Sequence, residues 1–384
     1  MPDNELKNQD LTISDSLTTP PENALQVYLP PKEKKLGDNY SYTAGSKSIS
    51  ELVTLSLDRE EKRGQTKHPT LRSGDTTIKY IEVTKEDLTL IIPELNSLQG
   101  NAQLMARYFV SQWTQKKTIE ADILFSDYLE ERGLQNTKEV RITTRDGLKQ
   151  LSSLKVSLNH SSGAFKEGQF IIEPELTLDG HIRFKYGEKF SQMVLEQASI
   201  MPYPRTLYKL SMPHDNTAFK IGEKLTYHKF ENKGKPNEGS ISMVKLLEAT
   251  GLPTVEELKQ QASRPSPKIR IIQPTMRAID TLNDLTPQQF IIRYMDSNGT
   301  LLTATKKTRT VIKNSGGKIR EETITESDLD RMKYDIDFFM SLYLDFQILE
   351  YPEIESAEAR QKRGKAINYK AQKKAQNGSK KTTD

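Results

Sequence analysis

TKEVRITTRDGLKQLSSLKVSLN, Thr137 to Asn159, is the stretch that decides how this chain is read. Lys138, Arg141, Arg145 and Lys149 follow one another at steps of three, four and four residues. At about 100° per residue they occupy one stripe roughly 80° wide. Val140, Thr144, Leu148, Leu151 and Leu154 fall towards the other side. The spacing predicts a helix that packs through one face and presents cations on the opposite one. Just upstream, FSDYLEER (Phe125 to Arg132) has the pattern of a short helix, with Gly133 as its stop. A strand pattern follows downstream. Helix, tight turn, basic helix and hairpin are the parts of a winged helix-turn-helix, which places its second helix in a DNA major groove.

A chain of 384 residues suggests two or three domains. Its composition, 35% hydrophobic and 28% charged, is lean for a fully compact chain and predicts long exposed segments. The net charge of +4 is modest, so where the cations cluster matters more than their total. Cysteine is absent, which excludes disulfides, thiolate zinc sites and a cysteine nucleophile. No apolar run approaches the roughly 20 residues of a membrane span. The N-terminus MPDNELKNQD has no basic-then-apolar signal pattern. A soluble cytoplasmic protein without membrane contact is expected.

The fold class expected is α+β: two tandem winged-helix domains (helix-turn-helix plus β-hairpin), a disordered N-terminal arm and a C-terminal helical and basic extension. The arm, 1–75, is rich in Ser, Thr, Pro, Asn, Lys and Glu, with ISELVTLSL as its one candidate element. The first winged-helix domain, 76–211, opens on a strand, TTIKYIEVT. Thr84 and Asp87 then form a capping-box pattern ahead of KEDLTLIIPEL. NAQLMARYFVSQW reads as an amphipathic helix, and after the helix-turn-helix QFIIEPEL and HIRFKY flank an Asp179-Gly180 turn. EKFSQMVLEQASIM reads as helical, and PYPRTLYKLS is broken by Pro202 and Pro204.

The second winged-helix domain, 212–304, has SISMVKLLEATGLP as a short helix with Ser242 as cap and Gly251 as stop. PTVEELKQQ is another helix, and IIQPTMRAIDTL is a third, with Pro274 in its first turn. FIIRYMDSNGTLLTATKKTRTVIK reads as a hairpin with Asn298-Gly299 at its tip. Residues 305–326 are a basic linker or wing extension. Residues 327–355 are a C-terminal amphipathic helix, with Met332, Ile336, Phe339, Tyr343 and Phe346 at alternating steps of four and three. The tail, 356–384, carries nine cations against Glu358 and Asp384.

The α-helical stripe is the leading DNA-contact candidate; the bland alternative is a solvated surface helix. Lys155, His160 and Lys166 flank the first hairpin, which itself holds Arg183 and Lys185, and Lys306, Lys307, Arg309 and Lys313 follow the second with no acid between them. Basic ribbons suit phosphate or minor-groove contact, though lysines also guard edge strands. Arg277, with Lys268 and Arg270 upstream, marks the second domain's candidate helix, which alternatively serves packing. The C-terminal helix docks on the core or on a partner. The tail is an electrostatic arm or a solubilising one.

Gly316-Gly317-Lys318 lacks the first glycine and the hydroxyl residue of a phosphate-binding loop. The five histidines are isolated, without metal-ligand spacing. No nucleophile, base and orienter share usable spacing, so neither enzyme activity nor a cofactor or metal is expected.

FSDYLEERGLQNTKEVRITTRDGLKQL, PYPRTLYKLS, ISMVKLLEATGLPTVEELKQ, and IIQPTMRAIDTL followed by FIIRYMDSNGTLL together resemble the two-winged-helix replication initiators of theta-replicating plasmids, the RepA-type proteins. The resemblance covers roughly Thr76 to Leu302. It implies a non-enzymatic protein that binds short direct repeats at an origin, helps open adjacent A·T-rich DNA and recruits host replication proteins. It also implies a dimeric form that represses its own gene. Carried onto this chain, Lys138, Arg141, Arg145 and Lys149 read the major groove, and Arg277 with Lys268 and Arg270 makes the second domain's contact. Expected partners are double-stranded DNA at origin repeats, a host replicative helicase or initiator, and a second copy of the chain. The expected setting is bacterial cytoplasm, on nucleoid or plasmid. Two other readings stay open: a winged-helix transcriptional regulator or autorepressor, and a phage or mobile-element scaffold protein using winged helices for protein contacts.

Overall fold

The computed structural model describes residues 38–54, 66–67, 70–73, 76–85, 88–93, 100–159, 165–195, 198–212, 214–260, 266–315 and 318–352. Within them the chain starts with strand β1 (Tyr40–Gly45) and helix α1 (Lys47–Thr54). β1 pairs antiparallel with β11 (Ser199–Pro204), from Tyr40↔Pro204 to Gly45↔Ser199. Tyr40, Ala44, Ile49, Leu52 and Val53 are buried. The expected 1–75 arm is therefore corrected over 40–54. A strand buried on both faces lacks the alternation that announces one. Residues 1–37 lie outside the described residues.

β2 (Thr66–Lys67), β3 (Thr70–Ser73), β4 (Thr76–Lys85) and β5 (Leu88–Pro93) join β7 (Lys155–Asn159) and β8 (Phe165–Gln169) in one sheet. The order is β2-β4-β5-β7-β8, with β3 also on β4. Lys85 lies opposite Leu88, so Thr84 is strand and the capping-box expectation fails. The Thr- and Ile-rich run on both sides outweighs a local cap pattern. β7 and β8 also correct the placement of Lys155 and Lys166: they belong to this sheet, not to the flanks of the next hairpin.

The first helix-strand unit comprises α2 (Gly100–Lys116), β6 (Glu120–Leu124), α3 (Phe125–Arg132), α4 (Lys138–Ser153), β9 (Ile171–Leu176) and β10 (His181–Tyr186). Its sheet runs β6-β10-β9. α2 is buried almost all round, including the polar Gln103, Arg107, Ser111 and Thr114, rather than amphipathic. Between β10 and β11 the chain makes helical turns over Glu188–Leu195, and a 3-10 turn, Arg205–Lys209, follows β11.

The second unit comprises α5 (Asn216–Glu231), β12 (Ser240–Ser242), α6 (Met243–Glu248), α7 (Val255–Gln260), α8 (Gln273–Asn283), β13 (Phe290–Met295) and β16 (Tyr343–Ile348). Its sheet runs β12-β16-β13. In both units a long helix leads into the first strand, helices follow, and the last strand inserts between the first and the middle one. Between β13 and β16 lie β14 (Lys306–Ser315), β15 (Lys318–Ser327), α9 (Asp328–Met332) and α10 (Ile336–Ser341).

This insertion corrects three expectations. The Asn298-Gly299 turn forms, with Gly299 at φ +85° and Asp296 Oδ1 accepting from the Asn298 and Thr300 amides at 2.9 Å. Beyond it, however, Leu301 makes a single bridge, and β13 pairs along its length with β16. Residues 305–326, expected as a basic linker or wing extension, are the β14–β15 ribbon, so only the linker alternative is corrected. The supposed single C-terminal helix is α9, α10 and β16. Arg331 pairs with Asp335 at 2.8 Å and Asp335 caps α10 by accepting from the Phe338 amide at 3.0 Å, so the first helix has already ended. Thereafter Leu342, Leu344, Phe346 and Ile348 are buried at a period of two.

Three polar clasps join the units. Arg107 on α2 donates through Nε to Glu223 Oε2 on α5 at 3.1 Å and through Nη2 to Oε1, and neither side chain has exposed surface. Its Nη1 donates to the Ala44 carbonyl at 3.1 Å and to Thr43 Oγ1 at 3.4 Å. Buried Gln289 accepts from the Thr206 amide at 3.1 Å and hydroxyl at 2.6 Å, and donates to the Asn39 carbonyl at 2.7 Å. Tyr40 donates to the Leu349 carbonyl.

Candidate nucleic-acid interface

α4 is set by local chemistry at its entry. Gly133 sits at φ +61°, a left-handed conformation that glycine adopts without a Cβ clash. It ends α3, with the Leu134 amide donating to the Leu129 carbonyl at 2.8 Å. Four residues later Thr137 caps α4, its hydroxyl accepting from the Val140 amide at 3.3 Å. Thr144, Gly147, Leu148 and Leu151 form the buried side. A Cβ on Gly147 would stand 3.0 Å from the Met105 methyl, so glycine lets α4 lie close on α2.

The opposite side carries the cations. Lys138, Arg145 and Lys149 are exposed. Arg145 makes only a 3.5 Å pair with its neighbour Asp146. Ile142, between them, is 40% exposed. Arg141, expected on the same stripe, is held by local contacts. It is half-buried, donates through Nε to Asn136 Oδ1 at 2.9 Å and lies 5.1 Å from the centre of the Phe125 ring. It braces the turn between the two helices.

The hairpin β9–β10 is largely neutralised on its outer face. Asp122 bonds His181 at 2.6 Å and Arg183 at 3.1 Å, and Lys185 pairs with Glu173 at 3.2 Å. The His181 hydrogen bond and then Arg183 hold the Asp122 carboxyl below its ordinary range. Lys155 lies in β7 and Lys166 in β8, and His160 is outside the described residues.

In the second unit, Lys268 and Arg270 are exposed on the wide turn Lys268–Ile272 that leads into α8, and Arg277 is exposed on α8. Arg270, Gln273 and Arg277 follow at helical steps, while Ile271, Ile272, Ala278, Ile279 and Leu282 face the core. This outer face also carries Asp280, so it is less basic than that of α4.

The cations of β14 divide. Lys306 is exposed. Lys307 pairs with Asp328 at 2.7 Å, and Arg309 is bound by Glu326 and by Tyr334, whose hydroxyl is 3.3 Å away. The expectation that Lys307 and Arg309 offer unopposed charge is corrected: acids distant in sequence come opposite through the hairpin. Lys313 lies farther along the strand, opposite Arg320.

A cleft of 360 Å³ lies beside the C-terminal end of α3, lined in part by Asp127, Glu130, Glu131, Arg205 and Lys209. Glu131 and Arg205 pair across it at 3.3 Å. Among the described residues no group of three or more metal-ligating side chains occurs, and no helix is long and apolar enough to cross a membrane.

No family model and no curated protein matches the chain. Two solved structures of domains 2 and 3 of RctB are similar to it. One shares 11% identity over 68% of this chain and 91% of its own, with a TM-score of 0.32. The other shares 11% over 72% and 94%, with a TM-score of 0.24. At that level of likeness this chain's own residues must carry the function.

Proposed function

We propose that this chain is a sequence-specific double-stranded DNA-binding replication initiator of the RepA type, built on two winged-helix units. The carrying observation is α4: a helix fixed by a left-handed glycine, a threonine cap and a close glycine contact, presenting Lys138, Arg145 and Lys149 to solvent around the apolar Ile142. Long cations reach phosphates and guanine edges, and an exposed isoleucine suits a thymine methyl. The strand order, with the last strand between the first two, supports the winged-helix reading in both units. α8 makes the second, weaker contact through Arg270 and Arg277. The protein acts in the bacterial cytoplasm as a binding protein without catalysis, at origin repeats, with a host helicase or initiator and a second copy of itself as further partners.

Selection of bound fragments from random duplex DNA tests this. The selected site should bind at least tenfold better than random DNA, and Arg145→Glu with Lys149→Glu should weaken the selected site more. Equal losses on both would reduce α4 to phosphate contact. The gene with its neighbouring DNA should sustain a plasmid that lacks its own initiator; failure there removes the initiator role.

A further inference from the structure

The walls of the 360 Å³ cleft beside α3 come from separate parts of the chain: α2, α3, the Arg205–Lys209 turn, residues 38–39 ahead of β1, and Pro287 ahead of β13. Asp127, Glu130 and Glu131 stand on one face of α3, since three and four residues make about one helical turn. Asp38 adds a fourth carboxylate, against Arg205 and Lys209. The cleft therefore carries two negative charges in excess. Arg205 is already committed: its Nη1 pairs with Glu131 Oε2 at 3.3 Å and its Nε donates to the Tyr40 carbonyl at 3.1 Å. Glu131 Oε1 is covered and has no hydrogen-bond partner.

Tyr108 supplies an independent observation. It is 4% exposed, and its ring packs edge-on against Tyr128 and Tyr208 at centroid distances of 5.3 and 5.8 Å. It nonetheless lines the cleft, and no described residue bonds its hydroxyl. Burial, then Glu131, Tyr208 and Asp127, push its pKa up, so the hydroxyl stands in the field of the cleft's carboxylates. A phenol oxygen this deep and without a partner is uncommon and calls for one from outside the protein.

We propose that this cleft binds a short alkyl diamine as its diammonium ion, with Tyr108, Asp127 and Glu130 accepting from its N–H donors. One such dication cancels the excess charge, and the volume lies at the small end of ligand pockets, about 300–1,000 Å³. A bare metal ion fits less well, since no group of three or more metal-ligating side chains occurs among the described residues. The same walls hold the joint between the units. The Asn39 carbonyl accepts from the Arg205 amide at 3.0 Å and from Gln289 at 2.7 Å, so an occupant also braces that joint. The site stands whether or not α4 reads DNA.

Isothermal titration of the full-length, DNA-free protein with putrescine, and with butanediol at equal ionic strength, tests this. Putrescine should saturate one site with a dissociation constant on the order of 1 mM, as suits a ligand of about six heavy atoms, and should raise the unfolding midpoint. Butanediol should do neither. Tyr108→Phe removes only an unbonded hydroxyl, so it should melt no lower than wild type yet bind putrescine roughly tenfold more weakly. Asp127→Asn/Glu130→Gln, at two exposed positions, should lose at least about tenfold. No saturation by ~10 mM putrescine, equal binding of butanediol, or full affinity in both variants overturns the proposal. None of these results touches the reading of α4.

Discussion

Replacing Arg107 with Met, or Glu223 with Leu, removes one member of an ion pair that has no exposed surface on either side. Losing Glu223 leaves the guanidinium with neutral partners only, the Ala44 carbonyl and the Thr43 hydroxyl, beside the Tyr203 ring 5.3 Å away. Burial already pulls the Arg107 pKa down, yet arginine keeps its proton in proteins, so the charge stays and is uncompensated. Losing Arg107 strands a buried carboxylate instead. Each single change should cost about 3–5 kcal/mol, while the double Arg107→Met/Glu223→Leu leaves no charge to solvate and recovers most of that loss. The two singles together lose about 6–10 kcal/mol and the double about 1–2 kcal/mol, so the coupling expected in the double-mutant cycle is at least about 4 kcal/mol.

The sole tryptophan, Trp113, is buried on α2 and reports unfolding by fluorescence. With a urea m-value of about 2–3 kcal/mol/M, each single variant should shift its midpoint down by roughly 1–2 M, and the double by much less. Since α4 packs on α2 and α8 on α5, the pair also bears on how α4 and α8 are held together. Single variants within about 1 kcal/mol of wild type, or a double variant whose loss is the sum of the singles, would refute a buried, mutually dependent pair.

Gly133→Ala forces a Cβ into φ +61° and should cost about 1–2 kcal/mol, read as a lower melting temperature; an unchanged melt would mean the α3–α4 turn relaxes freely. Glu131 gives a pH signature. Burial pushes its carboxyl up, partly opposed by Arg205. A raised folded pKa means its stabilising contribution is present below the ordinary carboxylate range and lost as pH rises through the folded pKa. Glu131→Gln should therefore flatten the fall of stability as pH rises above the ordinary glutamate range of about 4.3, and a steeper profile in the variant would contradict this. Lys307→Gln should weaken DNA binding less than Lys149→Gln, because Asp328 already neutralises Lys307; equal losses in matched salt titrations would put the ribbon base on the DNA.

The sequence makes the α3–turn–α4 segment legible because each of its signals is local. A glycine stop, a threonine cap and a 3.6-residue period all act within one or two turns, and cations that face solvent need no distant partner. The joint between the units has no such signature. Arg107 and Glu223 are 116 residues apart. Gln103, Arg107 and Ser111 on α2, with Lys220 and Glu223 on α5, are buried, so the apolar stripe that should announce each helix is interrupted where the packing is tightest. The C-terminal segment fails for another reason. Leu342 and Phe346 satisfy a helical step and a strand alternation at once, and only the pairing with β13 resolves them. The ribbon shows the same physics at work on charge. Lys307 and Arg309 look unopposed along the chain, yet Asp328 and Glu326 reach them across the hairpin, 21 and 17 residues on. A linear scan sees one basic run from Lys306 to Lys313. Folded, Lys307 and Arg309 of that run are tied to acids of α9 and β15.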